Sequence, residues 1–249
     1  DDGINARGIH ELVRALHEDA GANVYVCAPE GQRSASSHSI NFGKEISVQE
    51  AEFENADLAF ATSGSPADCV KIGMLLMEKR GIKIDMVFAG INHGSNIGTD
   101  TIYSGTVGAA LEGTICGVPS VAVSVQSHHA EHFDYACALA VDTVKKAFGK
   151  MSNRTALNIN VPNVPAEEVK GVMYTTLGDK AYVNDLIPVR QEDGKDVYIY
   201  GGDPRKVEGQ PLTIDVVAEQ CGYASITPLN RDLTEYGAVE DVNSWGIGK

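Results

Sequence analysis

The chain has 249 residues, 34 of them acidic and 20 basic, for a formal charge of −14, with 43% hydrophobic and 22% charged side chains. That length and apolar content support one α/β domain with a sizeable core and exclude global disorder. The acidic balance excludes a partner gripped through a phosphate backbone, such as a nucleic acid polymer, but not a small phosphorylated molecule, because a bound cation reverses the sign locally. Five scattered cysteines form no C-x-x-C pair, which argues against a zinc-thiolate site or a disulfide framework. No apolar run approaches the ~20 residues that cross a bilayer, so the expectation is a cytoplasmic chain with no membrane partner.

After Asp1-Asp2-Gly3, residues Ile9, Leu12, Val13 and Leu16 recur at helical spacing and predict a helix over 8–20. A short buried strand follows at 23–28, stopped by Pro29, and residues 30–40 are small and polar, a loop. A strand over 56–62 leads into Ser65-Pro66-Ala67-Asp68, a helix start with a Ser cap, Pro at the first helical position and Asp in the first turn. That helix runs to about Lys79 and hands over to a strand at 85–91. A glycine-rich loop spans Asn92 to Thr106, and the helix after it ends at Gly117. Strands at 120–125 and 156–161 flank a helix at 135–148. Such alternation implies a mostly parallel sheet covered on both faces. Residues 178–222 break the rhythm and read as a protruding hairpin arm with one clear β run at 197–200. Strand character returns at 223–229, before an acidic tail that holds the only Trp, Trp245.

In an open parallel sheet, ligands bind beyond the carboxyl ends of the strands. Three segments there carry unusual polar density: Asp1-Asp2-Gly3, the loop around Arg33-Ser34, and Asn92–Thr106. Adjacent carboxylates suit a hard divalent cation such as Mg²⁺, Mn²⁺ or Co²⁺, and Ser34 and Asn92 offer neutral oxygens to complete such a site. The plainer alternative is a pair of solvated, helix-capping acids and ordinary loop hydrogen bonds. Ser104-Gly105-Thr106 opens a helix, so its hydroxyls and backbone N–H groups form an anion cradle, or else Ser104 is simply an N-cap. His38 and His93 lie inside the polar loops as acid–base candidates or surface residues, while His128 and His129 lack an acidic partner at ligand spacing. Glycines 90, 94 and 98 do not match G-x-G-x-x-G, and no G-x-S-x-G elbow occurs.

Seven motifs together carry a family resemblance. They are D-D-G at 1–3, R-S-A-S-S-H-S-I at 33–40, G-S-P-A-D-C-V at 64–70, G-I-N-H-G-S-N-I-G at 90–98, Y-S-G-T-V-G-A-A-L-E-G at 103–113, L-N-I-N-V-P at 157–162 and Y-A-S-I-T-P-L at 223–229. In this order, over nearly the whole chain, they resemble the survival protein SurE family of metal-dependent 5′/3′-nucleotidases. The resemblance implies a single domain over 1–249: a Rossmann-like three-layer sandwich with a hairpin arm (about 178–222) and a C-terminal extension. It implies one divalent metal ion held by Asp1, Asp2, Ser34 and Asn92, and a phosphate held by Asn96, Ser104, Gly105 and Thr106. Hydrolysis of nucleoside 5′- and 3′-monophosphates would then be carried by Asp2, Asn96 and Ser104, with Asp2 serving a metal-assisted water or acting as nucleophile itself. A homodimer or homotetramer is also implied. Two departures stand out. The family places a short hydrophobic strand before D-D-G, so a strand of ~5–8 residues upstream of Asp1 is expected, and Ser65 stands where Thr is frequent. The competing expectation is a nucleotide-binding regulatory protein that uses the same crevice without turnover.

Overall fold

The computed structural model describes residues 1–179, 182–204 and 209–248. In chain order it places α1 (Arg7–Glu18), β1 (Tyr25–Pro29), β2 (Val48–Glu50), β3 (Leu58–Thr62), α2 (Pro66–Lys79) and β4 (Val87–His93). Then come α3 (Gly105–Ile115), β5 (Ser120–Gln126), α4 (Asp134–Ala147), β6 (Thr155–Pro162) and β7 (Val172–Tyr174). The last third holds β8 (Tyr182–Glu192), β9 (Lys195–Pro204), α5 (Asp215–Gln220), β10 (Ala224–Asn230) and α6 (Val239–Ser244).

Five strands form the main sheet in the order β4-β5-β6-β10-β7, and three more form β1-β3-β2. β4, β5 and β6 run parallel to one another, as do β1 with β3 and β10 with β7; β10 is antiparallel to β6, and β2 to β3. β5 sits inside the sheet, between β4 and β6, and reads S-V-A-V-S-V, small and β-branched on both faces. Val121, Val123 and Val125 point to one side with Ile159 and Val161 of β6, all without solvent exposure, and meet Leu12 and Leu16 of α1 and Ala136 and Ala140 of α4. Each such side chain contributes roughly 1.5–3 kcal/mol of burial. On the opposite face Ala122 and Ala156 leave room for Val107 and Ala110 of α3, with α2 packed beside it. The outcome is helix, sheet, helix: the three-layer α/β architecture expected from the alternation.

β1 and β4 each keep one edge unpaired within their sheets. A cleft of about 840 Å³ lies between them, lined by Val26 and Cys27 of β1, Phe88 and Gly90 of β4, and Met74 and Met77 of α2.

Two segments differ from the sequence reading. The stretch 92–106 is not loop throughout: β4 continues to His93, and a 3-10 helix covers Gly98–Ile102, where Thr101 Oγ1 donates to the Gly98 carbonyl at 2.7 Å. Residues 178–222 divide. β8 and β9 make a two-stranded antiparallel sheet, whereas α5 returns to the body with Asp215 and Ala218 fully buried. Residues 180–181 and 205–208 of that stretch lie outside the described residues. Among the described residues, no helix is long and apolar enough to cross a membrane.

Candidate functional site

Asp1, Asp2 and Gly3 bridge the carboxyl ends of β1 and β4. The Ile4 N–H donates to the Pro29 carbonyl at 2.8 Å, and the Arg33 N–H donates to the Asp1 carbonyl at 2.8 Å. On the other side the His93 N–H donates to Asp2 Oδ2 at 2.9 Å, tying that carboxylate to the end of β4. Gly3 has φ +97°, and a Cβ there would stand 3.0 Å from the Gly31 backbone, so the turn that presents both acids requires glycine. Asn92 directs its Nδ2 to the Gly94 carbonyl at 2.7 Å. That bond fixes the amide nitrogen as donor and leaves Oδ1 as the acceptor of the pair.

Against these acids comes the start of α3. Ser104 caps it, accepting the Val107 N–H at 3.1 Å. Gly105 permits a very close approach, because a Cβ there would lie 2.6 Å from Ser36 Oγ and 2.9 Å from Asp1 Oδ2. Thr106 is 0% exposed. Among the described residues, neither Thr106 Oγ1 nor Ser36 Oγ has a hydrogen-bond partner. Burying a hydroxyl without a partner costs roughly 1–3 kcal/mol, so two of them beside a carboxylate mark a place built to receive polar atoms. A small cavity of about 80 Å³ sits here, lined among others by Asp1, Asp2, Pro66, Gly90 and Thr106.

Asp1, Asp2, Gly105 and Thr106 are thus brought together, with Asn92 next to Asp2 through His93. Ser34 is exposed, one residue beyond the Arg33–Asp1 bond, and its Oγ accepts from Gln32 Nε2 at 3.0 Å. Asn96 faces the rear. Its N–H donates to Asn160 Oδ1 at 2.7 Å, its Nδ2 donates to Ser124 Oγ at 2.9 Å, and its carbonyl accepts Asn158 Nδ2 at 2.7 Å. His93 packs against Phe133, ring centroids 5.5 Å apart. His128 and His129 are exposed, and the His128 ring lies over Gly94, 3.3 Å from where a Cβ would stand. Two residues were not singled out in the sequence. Ser36 sits in a run of serines that pattern alone cannot separate, and Glu112 sits in a helix whose other residues read as core.

The loop Arg33–Ile40 is fastened along its length. Ser37 donates through N–H to the Tyr103 carbonyl at 2.9 Å and through Oγ to the Ile102 carbonyl at 2.7 Å. Ser65 Oγ donates to the Ser39 carbonyl at 2.5 Å, and Asn41 donates through N–H and Nδ2 to Asp68 at 3.0 and 2.7 Å. Ser65 and Asp68 also complete a reciprocal capping box at the start of α2. Burial pushes the Asp68 carboxyl up, but the hydrogen bonds from Asn41 and Ser65 together outweigh it and hold it below the usual carboxylate range.

The donor set fits a hard cation: two carboxylates with an amide and a hydroxyl oxygen nearby, and open hydroxyls facing them. Among the described residues, no group of three or more His, Cys, Asp or Glu gathers in a way that could hold a metal.

Comparison with known proteins shows what the chain is similar to. The family model described as survival protein SurE matches residues 1–184. The chain is 40% identical over 253 residues to the 5′-nucleotidase SurE of Heliobacterium modesticaldum, covering 98% of this chain and 89% of that one. It is 41% identical over 255 residues to the 5′/3′-nucleotidase SurE of Escherichia coli O127:H6, covering 100% and 96%. The crystal structure of the SurE protein from Aquifex aeolicus superposes with a TM-score of 0.82 at 34% identity, covering 99% of this chain and 97% of that one.

Proposed function

The chain belongs to the survival protein SurE family, and from that premise we propose that it is a phosphomonoesterase that hydrolyses nucleoside 5′- and 3′-monophosphates with the help of one divalent metal ion. The observation that carries the proposal is the pairing of Asp1 and Asp2 with the start of α3, where the buried Thr106 hydroxyl has no protein partner. Asp1, Asp2, Ser34 and Asn92 would hold the ion, Mg²⁺, Mn²⁺ or Co²⁺. When bound, it offsets phosphate charge and lowers the pKa of a water molecule.

The protein's own residues do the rest. The β4 N–H holds Asp2 Oδ2, which leaves the second oxygen of that carboxylate for the ion. The Gly94 carbonyl holds the Asn92 amide through its nitrogen, which leaves its oxygen as a ligand. At the start of α3, backbone N–H groups with Gly105 and the Thr106 hydroxyl receive the phosphate oxygens, and the helix dipole favours their charge. Ser104 borders this cradle, and Asn96 keeps the loop behind it in register through Asn158 and Asn160. Donors already in place when charge builds on the equatorial oxygens stabilise the transition state without reorganising. Phosphate release from AMP and GMP in Mn²⁺, with EDTA as control, tests the reading. Release in Mn²⁺ alone supports it, and no release from any nucleoside monophosphate overturns it.

Two further elements belong to the proposal. The exposed apolar residues Leu186, Ile187 and Tyr200 on the hairpin, with Tyr236 and Trp245 in the tail, suit a homodimer or homotetramer, which light scattering would report. Five free cysteines suit a reducing compartment, the cytoplasm.

A further inference from the structure

The α3 residue Glu112 lies too far along its helix to touch the acids at the site, yet it is among the most enclosed charges in the molecule. Its side chain is 4% exposed, with Lys71 Nζ 2.6 Å from Oε1 and His38 Nε2 2.8 Å from Oε2. Three elements meet on this one carboxylate: α3, α2 and the loop Arg33–Ile40. Lys71 neutralises it from the α2 side and makes no contact with the loop among the bonds seen here; His38 is the loop's own grip on it.

That loop needs a grip. Ala35 and Ser37 both occupy the left-handed region, at φ 55° and 54°, which is unfavourable for a residue with a Cβ. Between them stands Ser36, whose buried Oγ has no hydrogen-bond partner among the described residues and lies against Gly105, which also approaches Asp1. Just before them stands Ser34. The loop also rides directly on α3: a Cβ at Gly108 would lie 2.6 Å from the Ser37 carbonyl oxygen and 2.9 Å from His38 Cα. Backbone conformations of this kind persist only where the surroundings over-determine them.

We propose that Glu112 is a positioning residue for the metal site: through His38 it clamps the loop 33–40 onto α3 in the left-handed conformation that delivers Ser34 and Ser36 to the side of Asp1. The inference rests on the metal-dependent reading above and adds to it the part that shapes the loop. It makes the alignment of Ser34 depend on a carboxylate two turns along α3, with no contact to metal or substrate. Residues that hold a ligand in place typically change metal affinity by ~10–100-fold when removed.

The test measures Mn²⁺ affinity by electron paramagnetic resonance of the full chain without substrate, together with melting temperature. His38→Ala removes only the loop's side of the clamp and Glu112→Gln weakens both sides; each is expected to bind Mn²⁺ about tenfold more weakly or worse. Lys71→Met leaves the His38–Glu112 contact in place and is expected to bind Mn²⁺ within about twofold of wild type. His38→Ala is the decisive variant should Glu112→Gln fold poorly, because His38 lies toward the surface and its loss leaves the core intact. Wild-type binding with undiminished affinity in His38→Ala overturns the clamp alone, as does an equal loss in Lys71→Met. Absence of Mn²⁺ binding in the wild type overturns the metal reading and the clamp with it.

Discussion

The loop that leaves β4 carries two polar clusters built on opposite plans. At its rear, Asn96, Ser124 and Asn160 are buried and bond to one another at 2.7 to 2.9 Å, with Asn158 closing on the Asn96 carbonyl. Asn158 Oδ1 is the open atom there. At the front, Thr106 is buried just as deeply, but its hydroxyl and that of Ser36, at the start of α3 near Asp1, have no hydrogen-bond partner among the described residues. The difference teaches how to tell architecture from chemistry. Where buried polar atoms close on one another they fix the fold, and where they stay open beside a charge they wait for a ligand.

Substitutions on the two sides separate these roles. The largest effect is expected from Asp2→Asn, which removes a charge at the front. Mn²⁺-supported phosphate release from AMP should fall about 10³-fold or more while the melting temperature stays within about 2 °C of wild type. Full activity in that variant would contradict the assignment. Asn160→Leu works at the rear, stranding the Asn96 N–H. Urea unfolding should show a loss of about 2–3 kcal/mol, and an unchanged midpoint would mean that the rear network contributes no stability. Thr106→Val is the sharpest contrast, since it removes a buried hydroxyl with nothing to lose in the fold. Stability should hold or rise slightly, whereas kcat/KM should fall by about 10–100-fold. A Thr106→Val protein that is destabilised but fully active would reverse the account of the front.

The smallest effect concerns the loop's far anchor and acid. Asp68 has a folded pKa held below its ordinary value of 3.8, so its contribution is present above that value and is lost as pH falls through the folded pKa. Asp68→Asn should therefore be less stable than wild type at pH 7 by about 1 kcal/mol. The gap should close as the pH falls below about 4. A gap independent of pH would show that Asp68 acts only through hydrogen bonds a neutral side chain also makes.

Local chemistry made much of this molecule legible in its sequence. Ser65-Pro66-Ala67-Asp68 announces α2 because capping is a bond between neighbours, and the capping box forms as those residues require. The S-V-A-V-S-V run of β5 announces a strand buried on both faces. D-D-G was readable as a candidate site only in company with the polar loops around Ser34 and Asn92, because adjacent carboxylates alone fit solvated, helix-capping acids equally well. What stayed hidden depends on distant partners. α5 is short and acidic at its start, and nothing local says that buried Asp215 accepts N–H groups from Gly98 and Gly178. β2 and β7 each span three residues and form only because a neighbouring edge is available. Glu112 looks like any helical glutamate until the fold brings Lys71 and His38 to it.

The central claim is that Asp1 and Asp2 form a cation site facing the start of α3. Anomalous scattering from crystals of the full chain soaked in Mn²⁺ tests it most directly. The account predicts one ion within about 2.0–2.6 Å of oxygens from Asp1, Asp2 and Asn92, with Ser34 alongside. An ion bound elsewhere, with no oxygen from Asp2 in its coordination, would contradict it.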